Sequence, residues 1–134
     1  MPIIQVHYAN AQSQADVRGE VAQLVAEVSA RTLGKAMGVT AVISEPVDPA
    51  GWFVGGMPLS VSGLTAFWLQ ITITAGTNTR DQTAAFVAQA FAGMRDLLGP
   101  LDERSYVHVQ TADGDAYGFG GRTQTARRAD VSPA

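Results

Sequence analysis

One pattern occurs twice in this chain, and that repeat limits the fold more than any other feature. IQVH at residues 4–7 matches LQIT at residues 69–72, and WFVGG at residues 52–56 matches YGFGG at residues 117–121; both pairs lie 65 residues apart. Between the matched ends each half reads as strand, helix, strand. In the first half, residues 3–8 alternate as a strand does. Ser13 is placed as an N-cap, and Val17, Val21, Leu24, Val25 and Val28 follow at helical spacing. The pattern predicts a helix to about Leu33, ended by Gly34 or Gly38. In the second half residues 67–74 form a β-rich run, and Thr79 with Gln82 gives a capping-box spacing. Phe86, Val87, Ala90, Phe91, Met94 and Leu98 then line one helical face until Gly99 and Pro100 stop it. The second strands are expected over residues 40–44 and 105–111.

Two βαβ units in tandem imply right-handed crossovers and parallel pairing within each unit. The expected fold class is therefore α/β, more narrowly α+β: a four-stranded mixed sheet with two helices on one face. The domain expected is residues 1–121, with a first unit over 1–64 and a second over 65–121, followed by a C-terminal tail over 122–134. Both strand faces read as largely apolar, so the open face is expected to be covered by another subunit. Charged residues make up only 16% of the chain, which also favours a subunit-covered surface. Nine basic against twelve acidic residues supply no field for nucleic acid. No leader pattern and no apolar run near the ~20 residues of a membrane span are visible, so a cytoplasmic protein without a membrane partner is expected. Without cysteine, and with two histidines far apart, no metal-ligand cluster can be read. GFGG at residues 118–121 lacks the spacing of a dinucleotide fingerprint and the lysine of a phosphate loop.

PIIQVH directly after Met1, the strand-helix-strand spacing and GWFVGG after the second strand resemble the tautomerase superfamily, whose parent member is 4-oxalocrotonate tautomerase. The doubling is similar to its fused form, and the resemblance covers nearly all of residues 2–121. It implies a MIF-like homotrimer of βαβ-βαβ chains around a pseudo-sixfold barrel. It also implies cofactor-free chemistry on a small molecule, with the amino-terminal proline as base in a pocket between subunits.

The chemistry of that proline follows from its ring. Once Met1 is removed, Pro2 carries a secondary amine fixed to the first strand. An α-amine starts at a pKa of about 7.7–8.0, and an apolar pocket lowers it by disfavouring the charged form. The neutral amine can move a proton between carbon and oxygen of an enol, or form an imine with a carbonyl compound. If Met1 stays attached, the Pro2 nitrogen is an amide without basicity.

The arginines of the parent enzyme's carboxylate site do not carry over. The place after the first strand is held by Gln12, and by Thr77 or Asn78 in the second half; the place early in the second strand is held by Thr40 or Ala41, and by Tyr106. The nearest arginine is Arg80, in the first turn of the second helix, where some long members carry a carboxylate-binding arginine. A pocket aromatic of the parent is matched by Trp52 and Tyr117, an apolar wall and, from Tyr117, a hydroxyl. Strand alternation puts Tyr106, His108 and Gln110 on one face. Tyr106 resembles a tyrosine that lies near the proline in long members, and would hydrogen-bond a developing enolate oxygen with His108 beside it. His7 falls on the opposite face from Pro2. Arg122, Arg127 and Arg128 make the tail basic, solvated or clasping another subunit.

The expected function is a cofactor-free keto-enol tautomerase: Pro2, Tyr106 and His108 catalytic, with Trp52, Tyr117, Gln12 and Arg80 binding substrate. Poor activity on dicarboxylates and better activity on enols such as phenylenolpyruvate are expected. The alternatives are a proline-dependent dehalogenase or decarboxylase of the same fold, or a non-catalytic trimeric binding protein if Met1 is retained.

Overall fold

A computed structural model describes residues 1–131. Strand β1 (Ile3–Ala9) runs into helix α1 (Arg18–Leu33), which returns through a 3-10 turn (Met37–Val39) to strand β2 (Ala41–Pro46). A short hairpin of β3 (Phe53–Val54) and β4 (Met57–Pro58) follows, and the one-turn helix α2 (Leu59–Ser62) closes the first unit. The second unit repeats it with β5 (Ala66–Thr74), α3 (Arg80–Leu98), β6 (Tyr106–Ala112), a hairpin of β7 (Gly118–Phe119) and β8 (Arg122–Thr123), and α4 (Gln124–Val131).

The sheet order is β2-β1-β5-β6. Each unit contributes a parallel pair, and β1 joins β5 antiparallel at the centre, Gln5 opposite Gln70. The chain thus has the mixed sheet that its repeat implies. Ile4, Val6 and Tyr8 of β1 and Phe67, Leu69, Ile71 and Ile73 of β5 alternate onto the helix side, where they meet Val21, Val25, Val28, Phe86, Ala90 and Met94 in one core. Thr79 and Gln82 form the full capping box, hydroxyl to Gln82 N–H and amide oxygen to Thr79 N–H.

Three expectations need correction. Ser13 does not cap α1: its hydroxyl accepts from Ala15 N–H at 3.1 Å, Asp16 accepts from Arg18 N–H, and the helix starts at Arg18 with no side-chain cap. Short Ser and Asp turns compete with capping for the same donors. Val87 faces solvent, 40% exposed, because α3 presents only a narrow stripe to the core. The open face of the sheet is mixed rather than largely apolar: Gln5, His7, Gln70, Thr72, His108 and Gln110 share it with Ile3, Ile43, Trp68 and Tyr106. Gln70 donates to Gln110 at 2.5 Å, and His7 lies 3.8 Å from Glu45.

Both Gly-Gly pairs close two-residue hairpins. Gly55 and Gly56 have φ of 59° and 79°, Gly120 and Gly121 62° and 80°, the left-handed values of a type I′ turn. Gly118 is required for another reason: a Cβ there would lie 2.0 Å from the Arg122 carbonyl oxygen. That close approach pins the residue before it, Tyr117.

Candidate active site

Pro2 is buried at the start of a central strand, where its missing N–H costs no ladder bond and its carbonyl accepts from Ala41 N–H at 3.2 Å. Because β1 and β5 are antiparallel, the Pro2 end of β1 lies beside the C-terminal end of β5. Each hairpin therefore reaches the first strand of the other unit. Trp52 packs on Ala9, Leu59 and Ala66 at the start of β5, while Tyr117 reaches the start of β1.

The Tyr117 hydroxyl lies 2.6 Å from the Met1 carbonyl oxygen and 3.1 Å from that of Thr72. It has one proton to donate, and the shorter contact is to Met1. That carbonyl is bonded to the Pro2 nitrogen, so the phenol stands one carbonyl group from the nitrogen itself. Burial raises the Tyr117 pKa and keeps the ring a neutral donor.

A cation that sequence reading missed completes this end. Lys35 follows the left-handed Gly34 that ends α1, and its ammonium donates to the Thr77 hydroxyl at 3.1 Å. Thr77 in turn donates to the Thr74 carbonyl at 2.6 Å, tying the lysine to the end of β5. Burial, then the positive charge of Arg128, lowers the Lys35 pKa. The amine of Met1 is lowered by burial first and by Lys35 second. The amino terminus and Lys35 are therefore near enough to repel, in an environment that disfavours charge. Arg80 starts α3 three residues beyond Thr77, exposed at the same end.

The other expected residues lie elsewhere in the chain. Tyr106 pairs with Trp68, which pairs with His7, so Tyr106 stands at the far end of the sheet from Pro2 and is 61% exposed. With Trp52, Phe53, Trp68 and Arg104 it lines a shallow cavity there. His108 lies mid-sheet on the open face, its ring 6.2 Å from that of Trp68. Gln12 is committed to the Gly63 carbonyl, in a groove with Asn10, Asp48 and Ser60. Within one chain, then, Tyr117, Lys35 and Arg80 gather at the Pro2 end, and Tyr106, His108, Trp52 and Gln12 do not.

The basic C-terminal stretch folds back on its own chain as β8 and α4, and residues 132–134 of the expected tail lie outside the described residues. The Arg127 guanidinium sits 3.8 Å over the Phe119 ring and donates to the Phe119 carbonyl at 3.0 Å. Arg122 donates to the Ala126 carbonyl at 3.3 Å. Among the described residues no group of three His, Cys, Asp or Glu side chains is placed to hold a metal, and no helix is long and apolar enough to cross a membrane.

No protein-family model matches the chain, and no curated protein matches it in sequence. Its fold is nevertheless well represented among solved structures. A fused 4-OT described as a wild-type symmetric trimer superposes with a TM-score of 0.78 at 15% identity, over 93% of this chain and 98% of that one. Pt0534, inactivated by 2-oxo-3-pentynoate, superposes at 0.79 and 10% identity over 93% and 98%. A macrophage migration inhibitory factor-like protein from Entamoeba histolytica superposes at 0.69 and 14% identity over 91% and 97%. The chain shares the fold of these structures, in the doubled βαβ form of the fused 4-OT proteins.

Proposed function

We propose that this chain is a cofactor-free keto-enol tautomerase in which Pro2, freed by removal of Met1, is the general base. The observation that carries the reading is the convergence of Lys35 and Tyr117 on the amino terminus. Burial and the lysine charge both favour the neutral amine. Lys35 supplies the carboxylate anchor absent from the positions that Gln12 and Thr40 occupy, with Arg80 at the rim. A charge-assisted bond from the lysine to a substrate carboxylate sets the enol against the amine. The amine takes the enol O–H proton and returns it to carbon. One close cation suits a monocarboxylate such as phenylenolpyruvate better than a dicarboxylate.

The active unit in this reading is a homotrimer. Tyr106, Phe53 and Val61 are 61%, 60% and 68% exposed, and a neighbouring subunit covering them brings Tyr106 and His108 toward the Pro2 of another chain. The non-catalytic alternative applies if Met1 is retained, because the Pro2 nitrogen is then an amide whose carbonyl Tyr117 holds.

Intact mass followed by labelling decides between them. Loss of Met1 and covalent modification of Pro2 by 2-oxo-3-pentynoate, with matching loss of ketonisation activity, is the expected result. Met1 retained on the protein purified from its natural host would end the tautomerase reading.

Lys35→Met tests the anchor. Loss of a hydrogen bond to a charged group, about 1.5–3 kcal/mol, raises KM for phenylenolpyruvate by about 10–100-fold. The base works neutral, so activity falls as pH drops through the amine pKa. Burial and then Lys35 lower the pKa of the Met1 amine; in this reading they act alike on the freed Pro2 amine, so removing the lysine charge moves the acid limb of kcat/KM to higher pH. A KM and an acid limb both unchanged in the variant would remove Lys35 from the site.

A further inference from the structure

We infer that Tyr117 is a catalytic residue of a second activity at this site: its hydroxyl protonates the oxygen of an aldehyde or 2-oxo acid as that compound forms an iminium with the Pro2 amine. The inference rests on the proposed freeing of Pro2, and it adds a covalent step that proton transfer between carbon and oxygen does not need.

The Met1 carbonyl supplies the geometry. Its carbon is bonded to the Pro2 nitrogen and carries an oxygen 2.6 Å from the Tyr117 hydroxyl. A carbonyl compound that has added to the freed amine has the same nitrogen-carbon-oxygen connectivity, a carbinolamine. A carbinolamine whose C–O bond is turned the way the Met1 C=O bond points puts its oxygen within hydrogen-bond reach of the phenol. Thr72 offers the hydroxyl a carbonyl oxygen at 3.1 Å, an acceptor that keeps it oriented when the site is empty. The backbone supports this aim: the Gln124 N–H donates to the Tyr117 carbonyl at 2.8 Å, and the close packing of Gly118 on Arg122 leaves the hairpin little room to shift.

In the first step the Pro2 nitrogen pair forms the new C–N bond, the carbonyl π pair moves to oxygen, and the amine proton passes to that oxygen. In the second, the nitrogen pair forms the C=N bond, the C–O bond breaks, and Tyr117 gives its proton to the departing oxygen. Water leaves with one proton from the amine and one from the phenol; the phenolate then takes a proton from solvent. The products are a Pro2 iminium and water, with no oxidant or reductant required.

The test uses the full chain lacking Met1, with butanal and cyanoborohydride. Reduction of the iminium leaves a butyl group on Pro2, read by intact mass and peptide mapping. Tyr117→Phe keeps the ring and removes the proton, and is expected to slow butylation by about 10²-fold, the usual scale of a positioned acid. Arylation of Pro2 by 1-fluoro-2,4-dinitrobenzene, which involves no carbonyl oxygen, is expected at equal rates in both proteins. A merely structural tyrosine would change both labels together. Equal butylation of the two proteins overturns the role of Tyr117 and leaves the tautomerase reading standing, as does arylation of the parent protein without butylation. Failure of both labels on the parent protein means no free amine, and overturns both readings.

Discussion

Pro2→Ala lowers kcat/KM for ketonisation of phenylenolpyruvate by about 10²–10⁴-fold, the range a positioned general base contributes, while the melting temperature stays where it was. The fold does not need the proline ring: position 2 accepts from Ala41 N–H through its carbonyl, which alanine also provides. What changes is the amine. Alanine at the amino terminus keeps a primary amine, but that nitrogen rotates about a free φ, where the proline nitrogen is locked in a ring that continues the strand. Loss of orientation, added to loss of secondary-amine basicity, is the effect being measured. The assay is initial-rate ketonisation on protein confirmed by intact mass to lack Met1. An unchanged kcat/KM would take the base away from Pro2 altogether.

Phe67→Ala is expected to cost about 3–5 kcal/mol of stability. Phe67 is fully buried, pairs with Tyr8 across the centre of the sheet, and packs on Phe91 with ring centroids 6.1 Å apart. Strands on both sides and α3 above cannot collapse into the space it leaves. For a chain of 134 residues that loss lowers Tm by roughly 10–20 °C, read by calorimetry or circular dichroism. Val87→Ala on the exposed side of the same helix layer serves as the comparison, with an expected change within about 0.5 kcal/mol. A Phe67 variant melting with the parent protein would show that the two units do not share the core described above.

Phe67 also marks where the two halves part. It stands 65 residues after Pro2, at the matching place in the repeat. The first half puts a chain terminus there and the second puts a core aromatic, so the same hairpin geometry delivers Tyr117 to the Met1 carbonyl and Trp52 to Ala9, Leu59 and Ala66. One unit builds the candidate site and the other builds a wall.

Much of the fold was legible locally. The helical stripes apart from Val87, the Thr79 capping box and a glycine that ends α1 are set by neighbours within a few residues, and each appeared where the pattern put it. Where two local signals competed, reading failed: Ser13 had both a capping and a turn partner within reach, and the turn won. Sequence reading named Pro2, Tyr117 and Arg80 for the candidate site and passed over Lys35, which in sequence is one polar residue after a helix-ending glycine. Nothing local separates it from Arg31 or Arg95. Only the return of α1 to the sheet brings it to Thr77, 42 residues on, and to the amino terminus.

The sequence by itself therefore determined the repeated unit, its strand and helix types and the parallel pairing inside each half, because hydrophobic period and turn chemistry act over short spans. The tertiary structure decided which residues share an end. Antiparallel joining of β1 to β5 sends Tyr117 to Pro2 and leaves Tyr106 at the opposite edge, 61% exposed. That choice depends on how two amphipathic layers bury their common face, a sum over contacts far apart in the chain that no single stretch contains.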